Sequence, residues 1–184
     1  MFRLVLYLIV LIFVSFDVIG QSRVCEKELS FDKSSYIKVY YYKDTLFNGS
    51  VYTYYDSAGN DSSMVIKEEW AVSYGKREGL FKKFFKSGAL EIKGIYKGGK
   101  KEGIWKKWFA NGTLKYEGTF KNGQKDGVVK SWYSNGNLSY MDHFKNGKRH
   151  GLCKNYSKTG NGMILCDKEY LNGKMIKQKC YNYE

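Results

Sequence analysis

Residues 98–121, GGKKEGIWKKWFANGTLKYEGTFK, form the second of three consecutive 24-residue blocks that align without gaps. The first block begins at Tyr74 and the third at Asn122. Three series of glycines recur at the same 24-residue interval, and they begin at Gly75, Gly79 and Gly88. Because three independent registers agree, the sequence indicates a tandem repeat in which each unit packs mainly on its neighbours.

Each block has the composition of a β-hairpin. Its apolar positions hold Trp, Tyr, Phe, Val and Ile, which favour strands, and its breaks are Asn-Gly or Ser-Gly turns. No window shows the apolar spacing of three and four that marks an amphipathic helix. The chain has no proline, as expected where most strand N–H groups bond to a neighbour. We therefore expect an all-β fold, in which tandem hairpins form an open, elongated, twisted antiparallel meander sheet.

The register of the second hairpin follows from a turn centred on Asn111-Gly112. The expected cross-strand pairs are Trp105 with Gly118, Lys106 with Glu117, Trp108 with Lys115, and Phe109 with Leu114. Alternation along the strands then assigns the residues of all three blocks to two faces. The expected core face carries Phe81, Phe85, Leu90, Ile92, Tyr96, Trp105, Phe109, Leu114, Tyr116, Phe120, Val129, Tyr133, Leu138, Tyr140 and Phe144.

The opposite face carries a ladder of aromatic residues and lysines at the repeat interval. Its members are Tyr54, Phe84, Trp108, Trp132, Tyr156, Lys82, Lys106, Lys130 and Lys154. One interpretation is a linear binding surface, with rings that stack on sugars or peptides and lysines that bind anionic groups. The other is that these side chains cover their own sheet and recur because the unit was duplicated.

Residues 1–20 have the layout of a signal peptide. Arg3 precedes an apolar run from Leu4 to Phe16, which is shorter than the roughly 20 residues that span a bilayer. An uncleaved anchor is the alternative. We expect an exported protein, in the periplasm, at the cell surface or secreted. The expected segments after the signal peptide are a leader and N-terminal capping strand at 21–45, the repeat array at 46–170 and a C-terminal capping strand at 171–184.

The chain has 184 residues and a formal charge of +13, spread along its whole length. Such a surface favours an anionic partner, which could be lipid, lipopolysaccharide, an acidic glycan or an acidic protein. A lysine-rich exterior also serves solubility and blocks edge-to-edge pairing of sheets. Alternating Trp and Lys would suit single-stranded nucleic acid as well, but export argues against that partner.

Groups able to carry catalysis are scarce. The only two histidines are His143, near the end of a strand, and His150, in a turn slot that other repeats fill with Glu or Asp. Neither has a patterned carboxylate or nucleophile partner, and no metal-ligand spacing or phosphate-binding loop is present. We expect no catalytic residue, no metal, no cofactor and no enzymatic activity.

An oxidising compartment would allow the four cysteines to form disulfides in three possible pairings. A hairpin centred between Thr159 and Gly160 places Cys153 opposite Cys166, whereas the next turn places Cys166 opposite Cys180. We favour the pair Cys153–Cys166 and leave the pairing of Cys25 with Cys180 unresolved.

The unit GKKEGxWKxWFxNGxLxxEGxF resembles the MORN-repeat variant of bacterial proteins that are often labelled YwqK-type antitoxins. The resemblance covers about residues 46–175 and is strongest in the three central blocks. It implies tandem hairpins in an extended sheet, and related arrays are described as scaffolds that contact membrane lipid or protein. An export signal disagrees with an antitoxin that acts on a cytosolic toxin.

Together these features predict a non-catalytic, exported repeat scaffold whose ladder binds an envelope partner, either anionic lipid, glycan or protein. The alternative is an antitoxin- or immunity-like protein that binds and occludes one specific protein. A third, weaker alternative is a hydrolase whose site the sequence does not display. Successive loss of binding on Trp108→Ala and Trp132→Ala would favour the ladder, and a single dominant hot spot would favour the immunity-like alternative.

Overall fold

The computed structural model describes residues 22–25, 30–31, 40–42, 45–55, 65–159 and 162–181. Within these ranges the chain forms strands and no helix, which confirms the all-β prediction. The strands are β1 (Ser22–Cys25), β2 (Ser30–Phe31), β3 (Tyr40–Tyr42), β4 (Thr45–Leu46), β5 (Gly49–Tyr54), β6 (Ile66–Ser73), β7 (Lys76–Phe84), β8 (Leu90–Lys97), β9 (Lys100–Trp108), β10 (Leu114–Lys121), β11 (Gln124–Trp132), β12 (Leu138–Lys145), β13 (Lys148–Arg149), β14 (Gly151–Tyr156), β15 (Ile164–Leu171) and β16 (Lys174–Cys180). The expected signal peptide lies outside the described residues.

The strands from β5 to β16 follow chain order in one sheet, each antiparallel to the next. The short strand β13 pairs with β12, and β14 continues the sheet. At one edge β1 lies parallel to β5, and at the other edge lies β16. In the described part of the chain, β2, β3 and β4 form a separate three-stranded sheet. The large sheet is the open meander of tandem hairpins that the sequence predicted.

Two kinds of turn alternate along the sheet. Between repeats, β10 and β11 are joined by Asn122-Gly123 alone, with φ of 52° and 84°. Positive φ at both positions defines a type I′ turn, whose twist matches that of the flanking strands. Asn and Gly tolerate this backbone better than other residues, which explains why the Asn-Gly pair recurs at Asn146-Gly147 and Asn172-Gly173.

Within the repeat the turn differs from the expected one. The Phe109 N–H donates to the carbonyl of Thr113 at 2.9 Å, so the loop holds three residues, with Gly112 left-handed at φ 83°. Trp108 therefore pairs with Leu114, and Lys115 is an extra, bulged residue that restores the expected register further along. The predicted pairs of Trp108 with Lys115 and Phe109 with Leu114 are wrong, whereas those of Trp105 with Gly118 and Lys106 with Glu117 are confirmed.

The bulge also moves one leucine of each repeat from the expected core face to the ladder face. Leu90, Leu114 and Leu138 pair with Phe84, Trp108 and Trp132, so these leucines lie on the ladder side of the sheet. Their assignment to the core face was wrong, because each lies between the three-residue loop and the bulge, where the alternation is out of phase by one residue.

The core lies on the opposite face. Val129 and Cys153 are buried there in the second half of the array, and a buried aromatic cluster lies in the first half. Its buried members are Phe47, Val51, Trp70, Val72, Phe81 and Trp105, with Ile92, Tyr96 and Phe120 packed against them. Trp105 is the centre of this cluster. Its ring stacks on Phe81 at a centroid distance of 5.6 Å and meets Tyr96 edge-on at 5.0 Å. Its indole N–H donates to the carbonyl of Ile95 at 3.1 Å.

Four cations at the repeat interval cover this aromatic face. The Arg77 guanidinium lies 4.4 Å from the Trp70 ring centroid, and the Lys101 ammonium lies 4.4 Å from that of Trp105. The equivalent contacts further along are Lys125 with Phe144 at 4.7 Å and Arg149 with Tyr170 at 5.4 Å. The charged groups themselves thus lie over the ring faces as cation–π contacts, and partial burial lowers the pKa of Lys101. Part of the net charge therefore stabilises the fold.

Candidate functional site

The aromatic members of the ladder occupy one structural position. Each is the last residue of its strand, before the loop within the repeat, and each is half-buried. Across the sheet each pairs with a branched aliphatic residue: Tyr54 with Ile66, Phe84 with Leu90, Trp108 with Leu114, Trp132 with Leu138, and Tyr156 with Ile164. The structure thus brings the five rings into one row, which we call the aromatic row.

The ladder lysines form a second row, two residues inside the first. Lys82 pairs in register with Glu69, and their side chains form an ion pair. Lys106 forms the equivalent pair with Glu117 at 2.9 Å between Nζ and Oε2. Half-exposed pairs of this kind contribute at most about 1 kcal/mol each, so these lysines remain able to exchange their partner for an external anion.

A third row, which the sequence analysis missed, lies beyond the lysines. Leu80, Ile104, Val128 and Leu152 recur every 24 residues on the ladder face and are 36–55% exposed. Ile95, paired with Leu80, is 49% exposed and belongs to the same row. The signal was present in the sequence, because each of the four follows the repeated glycine series that begins at Gly79. We call this the aliphatic row.

The three rows meet in a shallow concavity of about 420 Å³ over β7, β8 and β9. Its walls are Leu80, Leu90, Lys93, Gly94, Ile95, Ile104, Lys106 and Trp108. Apolar side chains from the aromatic and aliphatic rows thus line the same concavity as two lysines, Lys93 and Lys106. This arrangement can bind an anionic group and apolar surface at the same time.

The cysteines pair differently from the favoured scheme. Cys166 is bonded to Cys180, and these residues are directly opposite in the β15–β16 ladder. The preference for Cys153–Cys166 was wrong, because the bulge in β15 pairs Cys166 with Asn155 and Cys153 with Lys168. Cys153 is a buried free thiol whose pKa is raised, chiefly by its burial. For Cys25 the structure describes the backbone, in β1, but not the side chain.

The two histidines lie near each other, on β12 and directly after β13. The Nδ1 atom of His143 lies 2.6 Å from the carbonyl oxygen of Leu152, and His150 lies between β13 and β14, where its N–H donates to the His143 carbonyl at 2.9 Å. Among the described residues, no group of three or more His, Cys, Asp or Glu side chains could hold a metal ion. The binding role of the ladder residues stays a prediction.

Comparison with known families identifies the repeat. The family model described as MORN repeat variant matches residues 77–97, 101–122 and 125–146, so the chain contains three tandem repeats of this family. MORN repeats are generally scaffold elements that bind protein or membrane, and the family is generally non-catalytic. No curated protein matches the chain. In the part of the chain that the structure describes, no helix is long and apolar enough to cross a membrane.

Proposed function

We propose that this chain is a non-catalytic, exported scaffold whose ladder face binds an anionic component of the cell envelope. The aromatic row supplies stacking surfaces, the lysine row supplies positive charge, and the aliphatic row supplies apolar contact. Each row recurs with the repeat, so an extended partner could contact several repeats at once.

One observation carries this proposal. The core face is covered by its own cations, which lie over its rings, whereas the ladder face leaves a row of branched aliphatic side chains 36–55% exposed beside its lysines. A repeated apolar row on a solvated sheet favours aggregation unless a partner covers it. Its recurrence on four strands is more than the scattered exposure of single hydrophobic residues that ordinary surfaces show.

The compartment is inferred from two features. Residues 1–20 have the layout of an export signal, and the bond between Cys166 and Cys180 hints at an oxidising compartment. Anionic lipids and acidic glycans are the envelope components that match the charge of the face.

The test measures binding of the full chain to vesicles of anionic phospholipid, to zwitterionic vesicles and to an acidic polysaccharide. The Trp108→Ala/Trp132→Ala variant should lose at least about tenfold in affinity for the anionic probe, because aromatic anchors dominate such contacts. Binding should weaken with added salt. Tyr74→Asn is the matched control, since Tyr74 is 74% exposed at a turn with φ 48°, which Asn tolerates, and lies outside the ladder.

Equal binding by the wild type and the double variant would contradict the proposal. If the double variant instead retains one defined protein partner with unchanged affinity, the immunity-like alternative gains support.

A further inference from the structure

The lysine row contains one exception to its own pattern. On the strands next to the ladder lysines, the residues paired with them are Glu69 in β6, Glu117 in β10 and Asp167 in β15, and Met141 occupies the equivalent position in β12. In β8 this position holds Lys93, which lies in register between Lys82 and Lys106. At this one place the compensating carboxylate is replaced by a third positive charge.

The exception leaves an uncompensated charge. Lys82 and Lys106 each turn to a carboxylate on their far side, Glu69 and Glu117 respectively. Lys93 is exposed and forms no ion pair with any residue that the structure describes. Like charges directly opposite on neighbouring strands repel each other, so a bound anion at Lys93 would relieve this repulsion.

A second exception lies on the same strand. In the aliphatic row, β10 and β12 contribute Thr119 and His143, whereas β8 contributes Ile95. Among the strands that the structure describes, only β7, β8 and β9 place three branched aliphatic residues, Leu80, Ile95 and Ile104, on the ladder face of consecutive strands. A register shift between β8 and β9 pairs Ile95 with Glu102, and Ile104 lies two residues further along β9. The two exceptions coincide with the concavity described above, which both Lys93 and Ile95 line.

We propose that this concavity binds one monomeric fatty-acid-type amphiphile, with the carboxylate head at Lys93 and Lys106 and the alkyl chain along Leu80, Ile95 and Ile104. This inference rests on the proposed function and names a ligand for one part of the ladder face. The excess of positive charge is confined to this concavity, because the equivalent positions on β10, β12 and β15 hold Glu117, Met141 and Asp167, so the head-group site is expected here and not in the other repeats. A concavity of about 420 Å³ is within the range of small-molecule sites.

The experiment titrates the full chain with monomeric laurate and follows heat and tryptophan fluorescence. We expect saturable binding of one laurate per chain and no binding of the cationic analogue dodecyltrimethylammonium. Lys93→Glu and Ile95→Thr should each weaken laurate binding at least about tenfold, because they remove the head-group charge and the central apolar contact. Both changes give β8 the residue types that β10 has at the equivalent positions of the next repeat, Glu117 and Thr119, so the sheet is expected to accept them.

Two controls match these variants. Lys145→Glu makes the same charge change at an exposed strand end four strands from Lys93, and Ile176→Thr makes the same side-chain change as Ile95→Thr at an exposed position of β16, outside the three rows. Both should bind laurate within about twofold of the wild type. Far-UV circular dichroism of each variant checks that the sheet is retained.

Absence of saturable laurate binding, or wild-type affinity in well-folded Lys93→Glu, would overturn the inference. If anionic vesicles bind through Trp108 and Trp132 while laurate does not bind, the proposed function stands and this inference fails. If laurate binds through Lys93 while Trp132→Ala leaves the binding of every anionic probe unchanged, the inference stands and the proposed function of the extended ladder is contradicted.

Discussion

The contact between Gly94 and the Trp105 ring gives the sharpest prediction for stability. A methyl group added at Gly94 would overlap Cδ2, Cε2 and Cε3 of the indole ring. The ring has little room to move, because Phe81 stacks on one side, Tyr96 meets its edge, and its N–H bonds to the Ile95 carbonyl. We expect Gly94→Ala to cost about 3 kcal/mol, at the upper end of overpacking and at the lower limit of the range of about 3–5 kcal/mol for deleting a core tryptophan.

A double-mutant cycle separates this cause from others. With Trp105→Ala the overlap disappears, and Gly94 does not have the left-handed backbone that would strain an alanine. In that background Gly94→Ala should be neutral or stabilise by up to about 1 kcal/mol, by restricting the unfolded chain. The coupling energy between the two sites should therefore be about 3–4 kcal/mol.

The assay is urea unfolding followed by far-UV circular dichroism, since one variant removes a fluorophore. Hydrogen exchange over residues 90–108 locates the effect, because a repeat array can open locally. Gly118→Ala is the matched control. Its methyl group would meet the phenol end of Tyr116 instead of a ring held on several sides, so we expect a smaller cost. A cost for Gly94→Ala that persists in the Trp105→Ala background would refute the reasoning.

Three further predictions concern other parts of the sheet. Reduction of Cys166–Cys180, which are 14 residues apart, should lower the free energy of unfolding by about 3 kcal/mol, measured by urea titration with and without reductant. Burial raises the pKa of Tyr116 from 10.0 to about 12, so the folded chain keeps a proton that the unfolded chain loses. Stability should fall as pH rises through that interval, and Tyr116→Phe should reduce the fall in pH-dependent unfolding curves. Arg149→Ala leaves the buried Asp142 without its 3.0 Å partner and should cost about 2–3 kcal/mol in thermal or urea unfolding at neutral pH.

The sequence was sufficient for the fold wherever period-two alternation and the repeat length act together. The pairs of Trp105 with Gly118 and of Lys106 with Glu117 follow from those two facts alone, and both are present. The register failed only near the loops. The sequence Asn111-Gly112 fits either a two-residue turn or a three-residue loop with a left-handed Gly112. The two turns differ by one residue in the register of the strands that they join.

That single-residue difference accounts for the errors at the ladder and at the cysteines. It moves Leu114 to the ladder face, and the equivalent bulge in β15 pairs Cys166 with Asn155. The aliphatic row and the covering cations were missed for another reason. Lys101 and Ile104 look like ordinary surface residues until the sheet shows that Lys101 lies over the Trp105 ring while Ile104 is uncovered.

Exact repetition and local exception carry different information in such an array. A residue type that recurs in every repeat, such as the cation at Arg77 and Lys101, serves contacts that every repeat must make, because each unit packs on its neighbours. Duplication alone explains its recurrence, so it says little about a specific ligand.

A departure from the pattern that costs stability needs another explanation. Lys93 places a third lysine where neighbouring strands mostly have a carboxylate, and Ile95 exposes apolar surface beside it. Ligand specificity in this chain should therefore depend on β8, and avidity on the repeated rows.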